Sequence, residues 1–246
     1  MGVNDNGEIF FRTEITKELK EGKAWEQIPG HLKMVSTSGT HVTWGIDRLG
    51  KLWFHNDGKQ NKIPVRKATS DYWWKIKSDF DFHAKTLDVG RDGQVWACST
   101  QGKVYYRKDI LDNEKERSTD GLTGPNGKAW ALPPNKDTKA QSPESCKSIA
   151  LCAGTGNVWV VAASGDQIWF RSGMKKTDLV GTGWELVASM GSGDSSNTFS
   201  HPIQEVACGG NYQLYFTDSE GNVLQRTKID DHSKPQGEEF KVVTKG

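Results

Sequence analysis

The sequence predicts an all-β fold: a five-bladed β-propeller of four-stranded antiparallel blades, built as one domain from residues 1–246. Three observations predict it. A strand, tight turn and second strand ending in a basic residue recur five times along the chain. A strand led by an aromatic residue recurs as often. Ten tryptophans, in a chain that is 35% hydrophobic with a mean hydropathy of −0.67, fall mostly at these repeated positions. Low apolar content suits sheets that each turn one face to a core.

The hairpin unit reads MGVNDNGEIFFR at 1–12, TWGIDRLGKLWFH at 43–55 and VWACSTQGKVYYR at 95–107. It recurs as VWVVAASGDQIWFR at 158–171 and LYFTDSEGNVLQR at 214–226. Its turn carries Gly7, Gly50, Gly102, the pair Gly165-Asp166, or Gly221. Gly, Asn and Asp tolerate the positive φ that tight hairpins require. The closing basic residue is Arg12, His55, Arg107, Arg171 or Arg226. The aromatic-led strand runs from Trp25 to Ile28, from Trp74 (preceded by Trp73) to Ile76, and from Trp130 to Pro133. Its last copies run from Trp184 to Val187 and from Phe240 to Val243. A third alternating segment separates the two pieces, as in HLKMVSTSG, AKTLDVG, KSIALCAG and IQEVACGG.

One unit therefore reads as an aromatic-led strand, an inner strand and a hairpin, about 49 residues in all, in the range of propeller blades. Both markers count five blades rather than six. The chain starts inside a unit and finishes on a first strand. The strand from Phe240 to Val243 is therefore expected to complete the sheet of Gly2 to Arg12 and close the ring without a raw edge. Residues 108–129, 133–147 and 189–202 read as polar surface insertions.

Composition narrows the function. The formal net charge is +1, with no clustered basic stretch beyond pairs such as Lys175-Lys176, which excludes the counterion-displacing surface of a nucleic-acid binder. No apolar run approaches the ~20 residues of a membrane span. No basic-then-apolar leader is visible, so the expected location is cytoplasmic or non-classically exported. Cys98, Cys146, Cys152 and Cys208 form no CxxC pair and no zinc spacing. Cys152 and Cys208 stand at one repeated place, seven residues before Trp159 and Tyr215, which reads as a buried small apolar position holding free thiols.

Enzymatic chemistry finds no foothold. The six histidines form no HExxH motif. The stretch Gly124 to Lys128 lacks the spacing of a phosphate loop, and Ala129 replaces its hydroxyl residue. The acidic run of Asp112, Glu114 and Glu116 lacks the glycine and final glutamate of a calcium loop. No metal, no cofactor and no catalytic residue is expected.

The combination of W-x-x-I-P-G-x-L-K from Trp25 to Lys33, W-G-I-D from Trp44 to Asp47, and G-x-[IL]-[FW]-x-[RH] in the hairpins resembles the tectonin repeat. The resemblance runs along nearly the whole chain apart from the three insertions. It implies a β-propeller lectin that binds glycans, O-methylated sugars or lipopolysaccharide among them, in pockets between neighbouring blades, with a role in defence. It leaves one alternative, an intracellular propeller scaffold for protein partners. Met1, Tyr215, Phe240 and His55 depart from the pattern.

The candidate sugar-binding residues are the repeated ones. Trp25, Trp74, Trp130 and Trp184 offer aromatic faces to the C–H side of a pyranose, as do Trp44, Trp96 and Trp159. All seven suit a wedge between blades equally well. Arg12, Arg107, Arg171 and Arg226 offer a planar fork for vicinal or acidic oxygens, and the same fork suits loop carbonyls of the next blade. His55 stands at that place without the fork. Asn4 and Asp47 suit sugar hydroxyls or the hairpin turn itself. Several weak sites on one rigid body would act together through avidity of ~10²–10⁴.

Overall fold

The computed structural model describes residues 1–37, 42–56, 73–76, 80–91, 93–108, 110, 127, 129–136, 141–152, 157–175, 178–192, 197–209, 213–230 and 233–245. Their regular structure is all β, in five antiparallel sheets. The first sheet has three strands: β1 (Gly2–Val3), β2 (Glu8–Arg12) and β3 (Trp25–His31). The second has four: β4 (Met34–Thr37), β5 (Val42–Ile46), β6 (Leu52–Asn56) and β7 (Trp74–Lys75). The third holds β8 (Ala84–Val89), β9 (Val95–Ser99), β10 (Val104–Arg107) and β11 (Trp130–Ala131). The fourth holds β12 (Ser148–Leu151), β13 (Val158–Val161), β14 (Gln167–Ser172) and β15 (Gly183–Ser189). The fifth holds β16 (Ile203–Cys208), β17 (Leu214–Asp218), β18 (Val223–Thr227) and β19 (Glu239–Thr244).

The backbone pairing corrects the phase of the repeat. The aromatic-led strand closes a sheet instead of opening one, because it pairs with the hairpin strand before it: Arg12 lies opposite Trp25, Arg107 opposite Trp130 and Arg171 opposite Trp184. The expected closure is overturned for the same reason. Phe240 lies opposite Arg226, so β19 belongs to β18 in the fifth sheet and does not complete the sheet of Gly2 to Arg12. A linear pattern of alternating pieces has no marked beginning, and only the ladder of hydrogen bonds assigns each piece to a sheet.

The hairpin turns form where expected. Gly7, Gly50, Gly102, Gly165 and Gly221 all have φ between 78° and 86°. A β-carbon on Gly165 would lie 2.5 Å from the Ile203 carbonyl oxygen, so the turn sits directly against the next sheet. Four of these turn carbonyls then accept an N–H at the start of the following sheet. Leu32 donates to Gly7 at 2.9 Å, Ala84 to Gly50 at 2.8 Å, Cys146 to Gly102 at 2.7 Å and Ile203 to Gly165 at 2.8 Å.

The inner strands pack side by side in chain order, β4 on β8, β8 on β12 and β12 on β16. Four apolar clusters fill the four successive junctions, so the core lies between the sheets. Polar side chains stitch the inner wall. Ser36 Oγ donates to Asp88 Oδ1 at 2.5 Å and accepts the Val89 N–H at 3.1 Å. The Leu151 N–H donates to Asp88 Oδ2 at 2.7 Å, and the Val206 N–H to Ser148 Oγ at 3.1 Å. Burial pushes the Asp88 carboxyl above its ordinary 3.8, against the pull of its three donors Ser36, Leu151 and Val89.

The cysteines correct a second expectation. Cys98 pairs with Cys146 across the third and fourth sheets, and Cys152 with Cys208 across the fourth and fifth. Their Cα atoms are 6.0 and 4.9 Å apart, within bridging range. At the repeated position Cys152 is buried and Cys208 partly so, and neighbouring sheets bring the two face to face.

Two outcomes follow from this architecture. The bridges span 48 and 56 residues, for which the chain-entropy model gives about 4 kcal/mol each. Replacing either pair by serine should lower the unfolding free energy by about 2–4 kcal/mol in urea titrations, and a midpoint unmoved by reducing agent would contradict the pairing. For Asp88, a folded value above 3.8 means a stability contribution present at low pH and lost as pH rises through the raised value. The stability of the parent chain relative to Asp88→Asn should therefore fall across that window and stay level above it, in urea titrations at a series of pH values.

Candidate functional site

The repeated arginines hold loops. Arg171 is fully buried; its Nε donates to the Val180 carbonyl at 2.8 Å and its Nη2 to Gly181 at 3.3 Å. The same side chain reaches the Pro134 carbonyl at 2.5 Å and Asn135 Oδ1 at 3.3 Å, at the connection from the third sheet. Arg226 repeats the arrangement with Gln236 at 3.0 Å, Gly237 at 3.0 Å and Asn197 Oδ1 at 2.9 Å. Arg12 donates to Glu21 at 2.7 Å and Gly22 at 3.2 Å, and Arg107 to Gly127 at 3.1 Å. The carbonyls of Glu21, Gly22, Gly127, Val180, Gly181, Gln236 and Gly237 belong to the arginine's own sheet, in the loop before its last strand, whereas Pro134, Asn135 and Asn197 lie in the connection from the sheet before; none lies in the next blade, where the sequence predicts them. Burial lowers the Arg171 pKa to about 10, so it stays cationic at neutral pH.

Each guanidinium also covers the aromatic ring opposite it: Trp25 at 5.6 Å, Trp130 at 5.5 Å, Trp184 at 5.2 Å and Phe240 at 4.6 Å. In the second sheet, Phe54 lies opposite Trp74, so the register carries His55 to Trp73, and their rings are 5.2 Å apart. Trp73, not Trp74, thus occupies the repeated place; the side chain of Trp74 lies outside the described residues.

Most of the candidate tryptophans are interior. Trp44, Trp96 and Trp159 are fully buried. Trp44 meets Trp130 of the next sheet edge-on at 6.0 Å, and Trp96 meets Trp184 at 6.1 Å. Trp159 meets Phe216 at 6.3 Å, which meets Phe240 at 5.5 Å. Each of these hairpin aromatics wedges edge-on against the following sheet. Trp25 differs: it is 56% exposed, against 5% for Trp130 and 6% for Trp184. Asn4 and Asp47 are occupied by their turns, Asn4 Oδ1 accepting the Glu8 N–H at 2.9 Å and Asp47 Oδ1 the Lys51 N–H at 2.9 Å.

Open space remains at the outer parts of two junctions. A groove of about 260 Å³ lies between the third and fourth sheets, walled by Trp96, Tyr106, Arg107, Ile110 and Val180, with Gln94 and Lys108 adding polar groups. A groove of about 300 Å³ lies between the fourth and fifth, walled by Phe170, Met174 and Pro235, with Asn157, Ser172, Glu185 and Gln236. The two are copies. Tyr106 and Phe170 directly precede the repeated arginine, Ile110 and Met174 follow it by three, and Gln94 and Asn157 stand just before β9 and β13. Val180 and Gln236 are the residues whose carbonyls take the Nε–H of Arg171 and Arg226.

Of the candidate residues, only Trp96 and Arg107 border either groove. The remaining lining was missed, although its constant offset from the arginine is a sequence signal. The acidic run of Asp112, Glu114 and Glu116 and the stretch from Gly124 lie largely outside the described residues, where only Gly127 is placed. Among the described residues, no group of three His, Cys, Asp or Glu is placed to hold a metal, and no helix is long and apolar enough to cross a membrane.

Comparison with known proteins places this architecture. Residues 1–84 match the tectonin domain family, and residues 94–114 match a family described as propeller. The 31 kDa subunit of perivitellin-2 from Pomacea maculata is 39% identical over 56 residues, 23% of this chain and 19% of that subunit. The chain thus matches about a fifth of that relative's length. Yeast RCC1 (Prp20) superposes with a TM-score of 0.50 at 10% identity, over 98% of this chain and 59% of its own. A second structure of Prp20p from Saccharomyces cerevisiae gives 0.50 at 11% identity, over 97% and 62%. At such identities the likeness is one of fold, a propeller-like stack of sheets.

Arg171→Ala should cost about 3 kcal/mol or more, since it strands several buried carbonyls, and Arg171→Lys should recover little of it without the fork. Arg12→Ala, at a half-buried site, should cost about 1 kcal/mol. Urea unfolding of the three variants checks this; equal costs at Arg12 and Arg171 would contradict the loop-holding role.

Proposed function

We propose that this chain, whose residues 1–84 match the tectonin domain family, is a tectonin-type propeller that binds carbohydrate in the grooves between successive sheets and does not transform it. The five sheets act as blades of one propeller. The observation that carries this is the same groove built twice, between the third and fourth and between the fourth and fifth sheets. Each has an apolar wall from two sheets and an amide and further polar groups for orientation, the composition of small-molecule sites. Volumes of about 260 and 300 Å³ suit one sugar residue better than a peptide. The apolar walls suit the C–H face of a pyranose or a methyl substituent.

Exposed Trp25, braced by Arg12, supplies a further stacking surface of a kind found nowhere else among the described tryptophans of the candidate set. Repetition supports a multivalent mode, in which weak sites on one rigid body engage a crowded glycan surface together. Microbial or cell-surface glycans in a defensive role fit that mode. The two inter-sheet disulfides support maturation in an oxidising compartment, in place of the cytoplasmic location expected from the sequence.

A glycan array with O-methylated sugars and lipopolysaccharide, followed by calorimetry on the best ligand, tests the proposal. Binding at more than one site per chain is expected. Ile110→Trp and Met174→Trp, each filling one groove, should each remove one site from the stoichiometry, and Trp25→Ala should weaken capture on dense glycan surfaces. Absence of any glycan signal from folded protein would sink the proposal.

A further inference from the structure

The two grooves share a frame but differ in charge at two matched positions. Tyr106 lies opposite Ala131 and Arg107 opposite Trp130 in the third sheet, where Phe170 lies opposite Glu185 and Arg171 opposite Trp184 in the fourth. Glu185 therefore stands where the preceding sheet has Ala131. The residue after the arginine is Lys108 in the third sheet and Ser172 in the fourth. Both members of each pair matter: one groove gains an exposed ammonium and has no carboxylate among its described walls, and the other gains an exposed carboxylate and has no cation. The buried arginines do not offset this difference, since they are common to both sheets and turned to their loop carbonyls.

We propose that the groove between the third and fourth sheets takes an acidic saccharide, and that the groove between the fourth and fifth takes an aminosugar. The assignment rests on carbohydrate binding in the grooves and goes beyond it by making the two sites unequal. In the first groove, Lys108 Nζ donates to a ligand carboxylate, sulfate or phosphate while Gln94 and the Tyr106 hydroxyl serve neutral hydroxyls. In the second, the Glu185 carboxylate accepts from a ligand ammonium, with Ser172, Asn157 and Gln236 beside it. Tyr106 is replaced there by Phe170, which removes one hydroxyl partner and leaves the apolar wall intact. A chain with both sites binds surfaces that carry acidic and amino sugars together better than surfaces carrying either alone.

Calorimetric titration of the full chain with glucuronic acid, glucosamine and glucose, at low and high salt, tests the assignment. Glucuronic acid should bind about fivefold more weakly to Lys108→Ser and unchanged to Glu185→Ala. Glucosamine should bind about fivefold more weakly to Glu185→Ala and unchanged to Lys108→Ser. Both preferences should shrink as salt screens the exposed charges. The exchange Lys108→Ser with Ala131→Glu should move the aminosugar preference into the first groove. All these side chains lie at the surface or sheet edge, and unchanged thermal melting would exclude misfolding as the cause. Equal binding of all three sugars, indifferent to these exchanges, would overturn the charge assignment and leave groove binding standing. Failure of folded protein to bind any of the three would overturn the charge assignment, and silence on the glycan array as well would overturn groove binding with it.

Discussion

The contact on which the rest depends is the hydrogen bond from the start of one sheet to the turn carbonyl of the sheet before it. It recurs at Gly7, Gly50, Gly102 and Gly165. The donor is the first residue of the incoming sheet or one close before it, so the bond sets where each new sheet begins relative to the last. With that offset set, inner strands lie side by side and apolar faces meet between sheets. A turn residue with positive φ and no side chain lets the two backbones approach closely enough. The Cys98–Cys146 bridge starts from the same place: Cys146 is both the N–H donor to Gly102 and a disulfide partner.

Stacking consumes most of the aromatic residues. A sheet of four short strands cannot bury its own faces, so its hairpin aromatic wedges into the following sheet. Trp44 and Trp96 meet Trp130 and Trp184 of the following sheet edge-on in this way. The guanidiniums are spent on the adjacent loops, where a planar fork satisfies carbonyls that would otherwise be shut away from water. The residues that repeat most visibly are therefore the ones that build the frame. Those left to meet a ligand are their less regular neighbours at the mouth of each junction.

This division makes unequal sites on an equal frame natural. Lys108 and Ser172 each directly follow a repeated arginine, Arg107 and Arg171, and Ala131 and Glu185 share one strand position, yet none of the four is needed for stacking. Such positions can vary in charge without disturbing the core. The first sheet shows the opposite case. There Trp25, at the strand position that is buried as Trp130 and Trp184 in later sheets, is exposed, so the same framework position becomes a surface one.

Much of the fold was legible in the chain. The five hairpins, their glycine turns, the aromatic-led strands and the inner strands all lie where alternation and turn chemistry put them, because those signals are local. The sequence by itself determined the type of these elements and their repeated anchors, but not that the first sheet would have three strands instead of four. Only the tertiary structure decided which sheet each aromatic-led strand joins, since a repeat read along a line has no intrinsic start; this moved Phe240 from the first sheet to the fifth and Trp73 into the place given to Trp74. It also decided that the cysteines pair, since Cys152 and Cys208 are distant in sequence and adjacent only when sheets stack. The grooves were beyond reach for the same reason: Ile110 and Val180, or Met174 and Gln236, form one wall only after two sheets meet. Pairing, bridging and pocket walls are contacts between residues far apart in the chain, and the stacking of one sheet on the next is what brings those residues together.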